Sequence, residues 1–236
     1  MSTITPTRAP ATPSDLGSNR PLVPVHGDQR TVFRGVDWHT YHSLSEATDE
    51  GQHIRLAYDG KDLEIIMVTS HIHEHRKELI SRIVNAVALR LGIDYFNCGE
   101  TTWQTKARGL EADRSYYFDL EKIRVARAAL ARESTDPADF PRPDLAIEID
   151  MSEPQIDRPS IYADLGVVEV WRYVKGQKLI IEHLQADGSY APADASRFLR
   201  VRADEILGWL TAEDSSREPA WNRRLNQWAM GLGRQG

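Results

Sequence analysis

Glu148 and Asp150 stand two residues apart in the run Pro143-Asp144-Leu145-Ala146-Ile147-Glu148-Ile149-Asp150. Such an apolar run, entered through a proline, reads as a strand over Leu145 to Ile149, and side chains two apart on a strand share a face. Two carboxylates on one face of an apolar strand repel each other and cost desolvation energy. A divalent cation resolves that conflict, because Mg²⁺ and Mn²⁺ take oxygen ligands. Solvent at the strand end, or an arginine drawn to the pair, resolves it equally well. A third acid, Asp113, lies in Gly109-Leu110-Glu111-Ala112-Asp113-Arg114-Ser115-Tyr116-Tyr117, just ahead of a strand expected over Ser115 to Phe118. It approaches Glu148 if the two strands are neighbours; otherwise it is a turn residue. Paired acids of this kind suit metal-assisted phosphodiester hydrolysis, in which a metal polarises the phosphoryl group and supplies hydroxide near neutral pH.

Other residues with chemical potential are less organised. His71, His73 and His75 cluster at a helix start, but alternate residues do not share a helical face, so they make a poor zinc site. Glu74 and Glu78, one turn apart, share a face and either reach a cleft or complement the helix dipole. Arg82, Arg90, Lys106, Arg108 and Arg114 either form a local basic patch or are solvated surface. No Gly-rich phosphate loop, nucleophile elbow or metalloprotease helix motif is present, and no organic cofactor is expected.

These residues need a scaffold. Trp38 to Ala47 reads as a helix with Asp37 as its N-cap. Ile54 to Tyr58 and Leu63 to Val68 read as strands joined at Asp59-Gly60, a hairpin signal. Apolar residues at Leu79, Ile80, Ile83, Val84, Val87, Ala88 and Leu91 recur at helical spacing over His73 to Leu91, and Gly92 ends the helix. Ile93 to Asn97 reads as a strand, Leu120 to Arg132 as a helix, Thr135 to Pro143 as a loop, and Asp157 to Leu165 as a short helix stopped by Gly166. Val167 to Val174 and Lys178 to His183 read as paired strands, with Trp171 in the core and a further strand near Tyr190. Ala203 to Leu210 and Pro219 to Met230 read as helices, the second with Trp221 and Trp228 on one stripe. The order is mixed α/β, without the regular alternation of a doubly wound sheet. The organisation expected is a disordered tail over 1–30, one domain over 31–212, and a helical extension over 213–236.

Composition narrows the classes. A chain of 236 residues, 41% hydrophobic and 27% charged, suits one soluble globular domain with a sizeable core. A single cysteine, Cys98, excludes an internal disulfide framework and a Cys-based zinc site, and fits a cytoplasmic location. No apolar run approaches the ~20 residues that span a bilayer, and Met1 to Asp28 lacks the apolar segment of a signal peptide. The net charge of −6 argues against a large basic surface for non-specific DNA binding. A locally basic cleft on an acidic protein is compatible with it.

The run Pro143 to Asp150, followed by Asp157-Arg158-Pro159-Ser160-Ile161-Tyr162-Ala163-Asp164-Leu165-Gly166-Val167-Val168-Glu169-Val170-Trp171-Arg172-Tyr173, resembles the Uma-two family of restriction endonucleases, within the PD-(D/E)XK superfamily. His73-Glu74-His75, Thr101-Thr102-Trp103 and Gly109 to Tyr117 add to the resemblance, which spans roughly Ile54 to Leu210. It implies a restriction-endonuclease-like α/β fold, a central mixed sheet flanked by helices, and Mg²⁺-dependent DNA cleavage with Mn²⁺ as a substitute. It implies Asp113 and Glu148 as metal-binding acids, with the Ile149 carbonyl as a further ligand. Asp150 takes the lysine position of the E-X-K pattern and is a candidate fourth ligand. The basic residue falls at Arg158, four before Tyr162, which packs beneath the site; Glu74 or Glu78 would be the helix acid. The family usually has lysine at position 158. Arginine keeps its charge and is a poor general base, though it can stabilise phosphoryl charge. A homodimer is expected, since two sites related by a two-fold axis cut two strands most simply. A non-catalytic DNA- or protein-binding descendant of the fold is the competing reading. A nuclease that needs a partner is a third, on which the sequence is silent.

Overall fold

The computed structural model describes residues 28–48, 54–68, 70–175 and 178–232. Apart from Asp28, the tail expected over 1–30 divides into residues 1–27, which lie outside the described residues, and Gln29 and Arg30, which open a strand. That strand, β1 (Gln29–Phe33), is followed by α1 (Trp38–Ala47), β2 (Ile54–Tyr58), β3 (Leu63–Met67) and α2 (His71–Leu91). Next come β4 (Phe96–Gln104), β5 (Gly109–Tyr117), α3 (Leu120–Ala131), β6 (Leu145–Asp150), α4 (Arg158–Leu165) and β7 (Glu169–Val174). β8 (Lys178–Leu184), β9 (Tyr190–Ala193), α5 (Ala203–Leu210) and α6 (Glu218–Leu232) complete the chain.

The strands form one mixed sheet in the order β1-β3-β2-β5-β6-β7-β8-β9, with β4 on the other edge of β5. Among the described strands β6 and β7 are the parallel pair, and α4 is the crossover they require. The sheet is flanked by helices, as expected. On one face α2, α5 and α6 pack on Leu145, Ile147, Ile149, Trp171 and Ile181. On the other, Ile123 and Ala126 of α3 and Ile161 and Tyr162 of α4 pack on Ala112, Ala146 and Val170. Trp171 is fully buried in the first cluster. α6 shares that core through Trp221 and Leu225, and Trp221 and Trp228 both meet Trp209.

Two strands differ from the sequence reading. β4 starts at Phe96, and what was expected as a strand from Ile93 runs instead through Gly99 to Gln104. β5 starts at Gly109, so Asp113 lies inside a strand and is no turn residue. Pairing decides both: Gln104 through Phe96 align antiparallel with Gly109 through Tyr117. That ladder is irregular in a useful place. Thr101 faces Ala112 and Gly99 faces Ser115, so two steps on β4 match three on β5. The extra residue is a bulge at Asp113–Arg114, the kind of distortion that re-aims side chains.

α2 begins at His71 with the Ser70 hydroxyl accepting from the Ile72 amide at 3.2 Å, and ends on Gly92 in the left-handed conformation (φ 67°). No helix among the described residues is long and apolar enough to cross a membrane.

Candidate active site

β5 is shared between two neighbours on one edge. Gly109 and Leu110 pair with β2, and Arg114 to Tyr116 pair with β6. Glu111 to Asp113 fall in the fork between them. The β5–β6 pairing ends at Arg114↔Ile147, one residue short of Asp113 and of Glu148. There the Asp113 side chain replaces the missing ladder bond: its Oδ2 accepts from the Ile149 amide at 2.6 Å.

The fork collects buried charge. Asp113, Glu148 and Asp150 are 1%, 3% and 1% exposed, and Arg158 is 5% exposed. Arg55 of β2 pairs with Asp113 Oδ1, which also faces His73 Nε2 at 3.0 Å. The other ring nitrogen of His73 faces Glu74 Oε1 at 3.2 Å. Burial, and next the charge of Arg55, hold the His73 imidazole down at about 4. It is therefore neutral near pH 7 and has one N–H for two carboxylates.

Glu148 is gripped at both oxygens. Arg158 Nη1 donates to Oε2 at 3.0 Å, and the Tyr162 hydroxyl donates to Oε1. Burial nonetheless raises the Glu148 carboxyl above the usual range, against the pull of Arg158. Burial also raises the Tyr162 phenol, which keeps its proton and remains a donor. Asp150 Oδ1 accepts from Arg158 Nη1 at 3.2 Å and from Arg30 Nη2 at 2.9 Å, while its Oδ2 is buried without a hydrogen-bond partner. The arginine alternative for the same-face pair of Glu148 and Asp150 is thus the arrangement seen.

The remaining sequence candidates divide cleanly. Glu74 borders the cluster, bonded to Lys77 at 2.5 Å and to His73. Glu78 does not join it; exposed on α2, it pairs with Arg82, which reaches Glu218. His71 is exposed and only His73 of the three histidines points inward. Arg82, Arg108 and Arg114 are tied to acids on three different elements and form no common patch. Asp144 is structural: it accepts from the Phe118 and Asp119 amides at 2.7 and 2.8 Å and pairs with Lys122.

Sequence reasoning missed Arg30, Arg55, Glu64 and Lys77. Glu64 is fully buried, pairs with Arg30 Nη1 at 3.2 Å and Arg158 Nε at 3.5 Å, and accepts from the Gln155 amide at 2.8 Å. A lone charge inside a strand, as in Ile-Arg-Leu-Ala-Tyr (54–58) and Leu-Glu-Ile-Ile-Met (63–67), was the available signal. Lys77 lies one turn after His73 on the buried stripe of α2 and bonds Glu100 Oε1 at 2.7 Å. Burial pushes Glu100 up, but Lys77, Arg55 and Arg114 outweigh it and hold that carboxyl at about 2.

A cleft of about 630 Å³ opens beside the cluster, over the face of β6–β8 that α4 leaves uncovered. Glu148, Arg158, Tyr162, Val170, Ile180 and Lys178 are among the residues that line it.

Among solved structures, the chain is similar to the "putative nuclease belonging to DUF820" from Anabaena variabilis ATCC 29413, at 14% identity and a TM-score of 0.43, covering 71% of this chain and 97% of that one. No curated protein matches the chain significantly. The Uma2 family, described as "Putative restriction endonuclease", matches residues 38–213, well over half of the chain. By that match, which contains Asp113, Glu148 and Arg158, the protein belongs to the Uma2 family.

Proposed function

We propose that this protein is a Mg²⁺-dependent endonuclease that hydrolyses phosphodiester bonds in DNA. The observation that carries the reading is the hydrogen bond from the Ile149 amide to Asp113, which ties that acid to the residue after Glu148, with Arg158 bonded to Glu148.

The donor chemistry fits a hard divalent ion. Five buried acids (Asp28, Glu64, Asp113, Glu148 and Asp150) face three arginines (Arg30, Arg55 and Arg158), so acids outnumber arginines by two. Among the described residues no three His, Cys, Asp or Glu side chains converge as a ligand set. Mg²⁺ does not need one: it commonly uses one or two carboxylates together with water and substrate phosphate. Asp113 and Glu148 would hold it, with the Ile149 carbonyl, and the bound ion would supply a Lewis acid and an activated water.

The chain's own groups have distinct tasks. Tyr162 fixes Glu148 through its hydroxyl. Arg158, always charged, offers its fork to a phosphate in the cleft and offsets the charge that builds up on it. It does not take up protons, so no base role falls to it. Arg55 and His73 hold the Asp113 carboxylate in place from β2 and α2. Incubation of the purified protein with plasmid and Mg²⁺ or Mn²⁺ tests the reading. Nicking that disappears in Glu148→Ala is the expected result; cleavage undiminished in that variant refutes the assignment. A homodimer in the cytoplasm is part of the proposal, and light scattering that finds only monomer counts against the first half of it.

A second reading has its own support. Every oxygen of Asp113 and Glu148 already faces a cation, a hydroxyl or an amide, and the basic residue beside them is an arginine, which keeps its charge. A nuclease fold kept only for binding would show DNA affinity that metal does not change, with no nicking.

A further inference from the structure

Four side chains beside Glu148 close a ring of alternating charge. Arg30 Nη1 meets Glu64 Oε2 at 3.2 Å, and Glu64 Oε2 meets Arg158 Nε at 3.5 Å. Arg158 Nη1 meets Asp150 Oδ1 at 3.2 Å, and the same oxygen returns to Arg30 Nη2 at 2.9 Å. The members come from β1, β3, β6 and the first residue of α4, so no local spacing in the sequence connects them. All four side chains are 6% exposed or less.

We propose that Glu64, Asp150 and Arg30 are positioning residues whose task is to hold the Arg158 guanidinium on Glu148 and aim it into the cleft. The inference rests on the nuclease reading above for the use of Arg158, and on the ring alone for its placement. A guanidinium is a rigid planar fork, so fixing two of its nitrogens fixes the third. Asp150 holds Nη1, which is also the atom on Glu148, by a hydrogen bond, while Glu64 Oε2 stands 3.5 Å from Nε, a buried nitrogen with no hydrogen-bond partner among the described residues, so its hold is one of charge. Nη2 keeps no protein partner among the described residues, and Arg158 lines the cleft. A phosphate entering there meets a donor already oriented.

The same geometry gives Asp150 a task other than metal binding. Residue 150 stands two after Glu148, and an acid there would repel Glu148 without a shared cation. Arg158 is that cation, since a single Nη1 bridges the two carboxylates. Asp150 thus helps to place an arginine from α4.

The ring is tested with Glu64→Gln and Asp150→Asn, each alone and combined with Arg158→Met, a substitution that removes the group being positioned. Plasmid cleavage should show kcat reduced about tenfold to a hundredfold in each single variant with KM little changed, the scale of a misplaced catalytic group. Neither change should lower kcat further in the Arg158→Met background; multiplied losses there would mean a general structural role and overturn the proposal. The second readout needs no activity. In ¹⁵N NMR the Arg158 guanidinium should show restricted rotation in the native protein and lose it in Asp150→Asn, which weakens the Nη1 bond; an unchanged signal overturns the placement. Titration with Mn²⁺ should find binding retained in Asp150→Asn and lost in Glu148→Gln. Equal loss in both would make Asp150, whose Oδ2 is otherwise unpartnered, a metal ligand and refute its assigned task. If the native protein fails to cleave DNA while the NMR change appears, the nuclease reading falls and the ring stands.

Discussion

The carboxylate of Asp113 accepts a hydrogen bond from the amide of Ile149, the residue immediately after Glu148. A side chain on β5 thereby continues a backbone ladder that its own main chain has left, and in doing so it is tied to the residue next to the second acid. Removing this acceptor leaves the Ile149 amide buried and unpaired. Asp113→Ala should cost about 1–3 kcal/mol beyond any change in the charge balance of the fork, and Asp113→Asn, which keeps an acceptor, should cost less. Urea denaturation of the two variants checks the order; equal losses would show that the bond carries no weight.

Arg158 neutralises two buried acids at once. Arg158→Met should destabilise the protein by about 3–5 kcal/mol, because Glu148 and Asp150 would be left buried without their cation. Arg158→Lys should lose less, since it keeps the charge but not the bridging fork. Chemical denaturation near neutral pH measures both. A methionine variant as stable as the native protein would mean that the acids are protonated or hydrated in place.

His73 gives a pH signature. Its folded value of about 4 lies below the ordinary histidine value, because burial and then Arg55 disfavour the charged ring. Between the two, the unfolded chain binds a proton that the folded protein does not. The contribution is therefore complete above about pH 6.5 and is lost as pH falls toward 4, by at most ~3 kcal/mol. Comparing native protein with His73→Gln isolates this share from that of the carboxylates. Parallel stability curves for the two proteins between about pH 7 and 4.5 would refute it.

Metal should stabilise if the acid excess is a binding site. At Mg²⁺ a hundredfold above its Kd, unfolding should become about 2.7 kcal/mol harder, and the gain should vanish in Asp113→Asn combined with Glu148→Gln. Thermal melts with and without Mg²⁺ decide this, and an equal gain in the double variant would place any bound ion elsewhere.

The last helix is part of the core. Trp221→Ala should cost about 3–5 kcal/mol, as for other large buried side chains. A variant within 1 kcal/mol of native, roughly the cost of a surface change, would show that α6 is an appendage.

The fold was legible wherever a segment carried its own periodicity. The α2 stripe, the Leu145–Asp150 run and the Gly166 stop each bury a face that their residue types announce. β5 was legible only in its aromatic half, because Glu111, Asp113 and Arg114 interrupt the alternation and become strand through their partner β4 and the bulge. β1 was hidden for another reason: as an edge strand it alternates exposed and half-buried residues and has no apolar signature. The site followed the same division. Asp113, Glu148 and Arg158 were visible through spacing and resemblance. Arg30, Arg55 and Glu64 reach the site from distant strands, and only the sheet order brings them there.

β1 carries a practical consequence. Arg30 is the second residue of the first described strand and, among the described residues, the side chain that links Asp28, Glu64 and Asp150. A chain shortened to begin at Thr31, a natural choice if the polar N-terminal region is regarded as dispensable, would keep every residue that the family match covers. It would also lose Asp28 together with Arg30, and so take from Glu64 and Asp150 the arginine that bridges them from β1. Inactivity of such a fragment would report on a broken counter-charge and not on the chemistry of the intact protein.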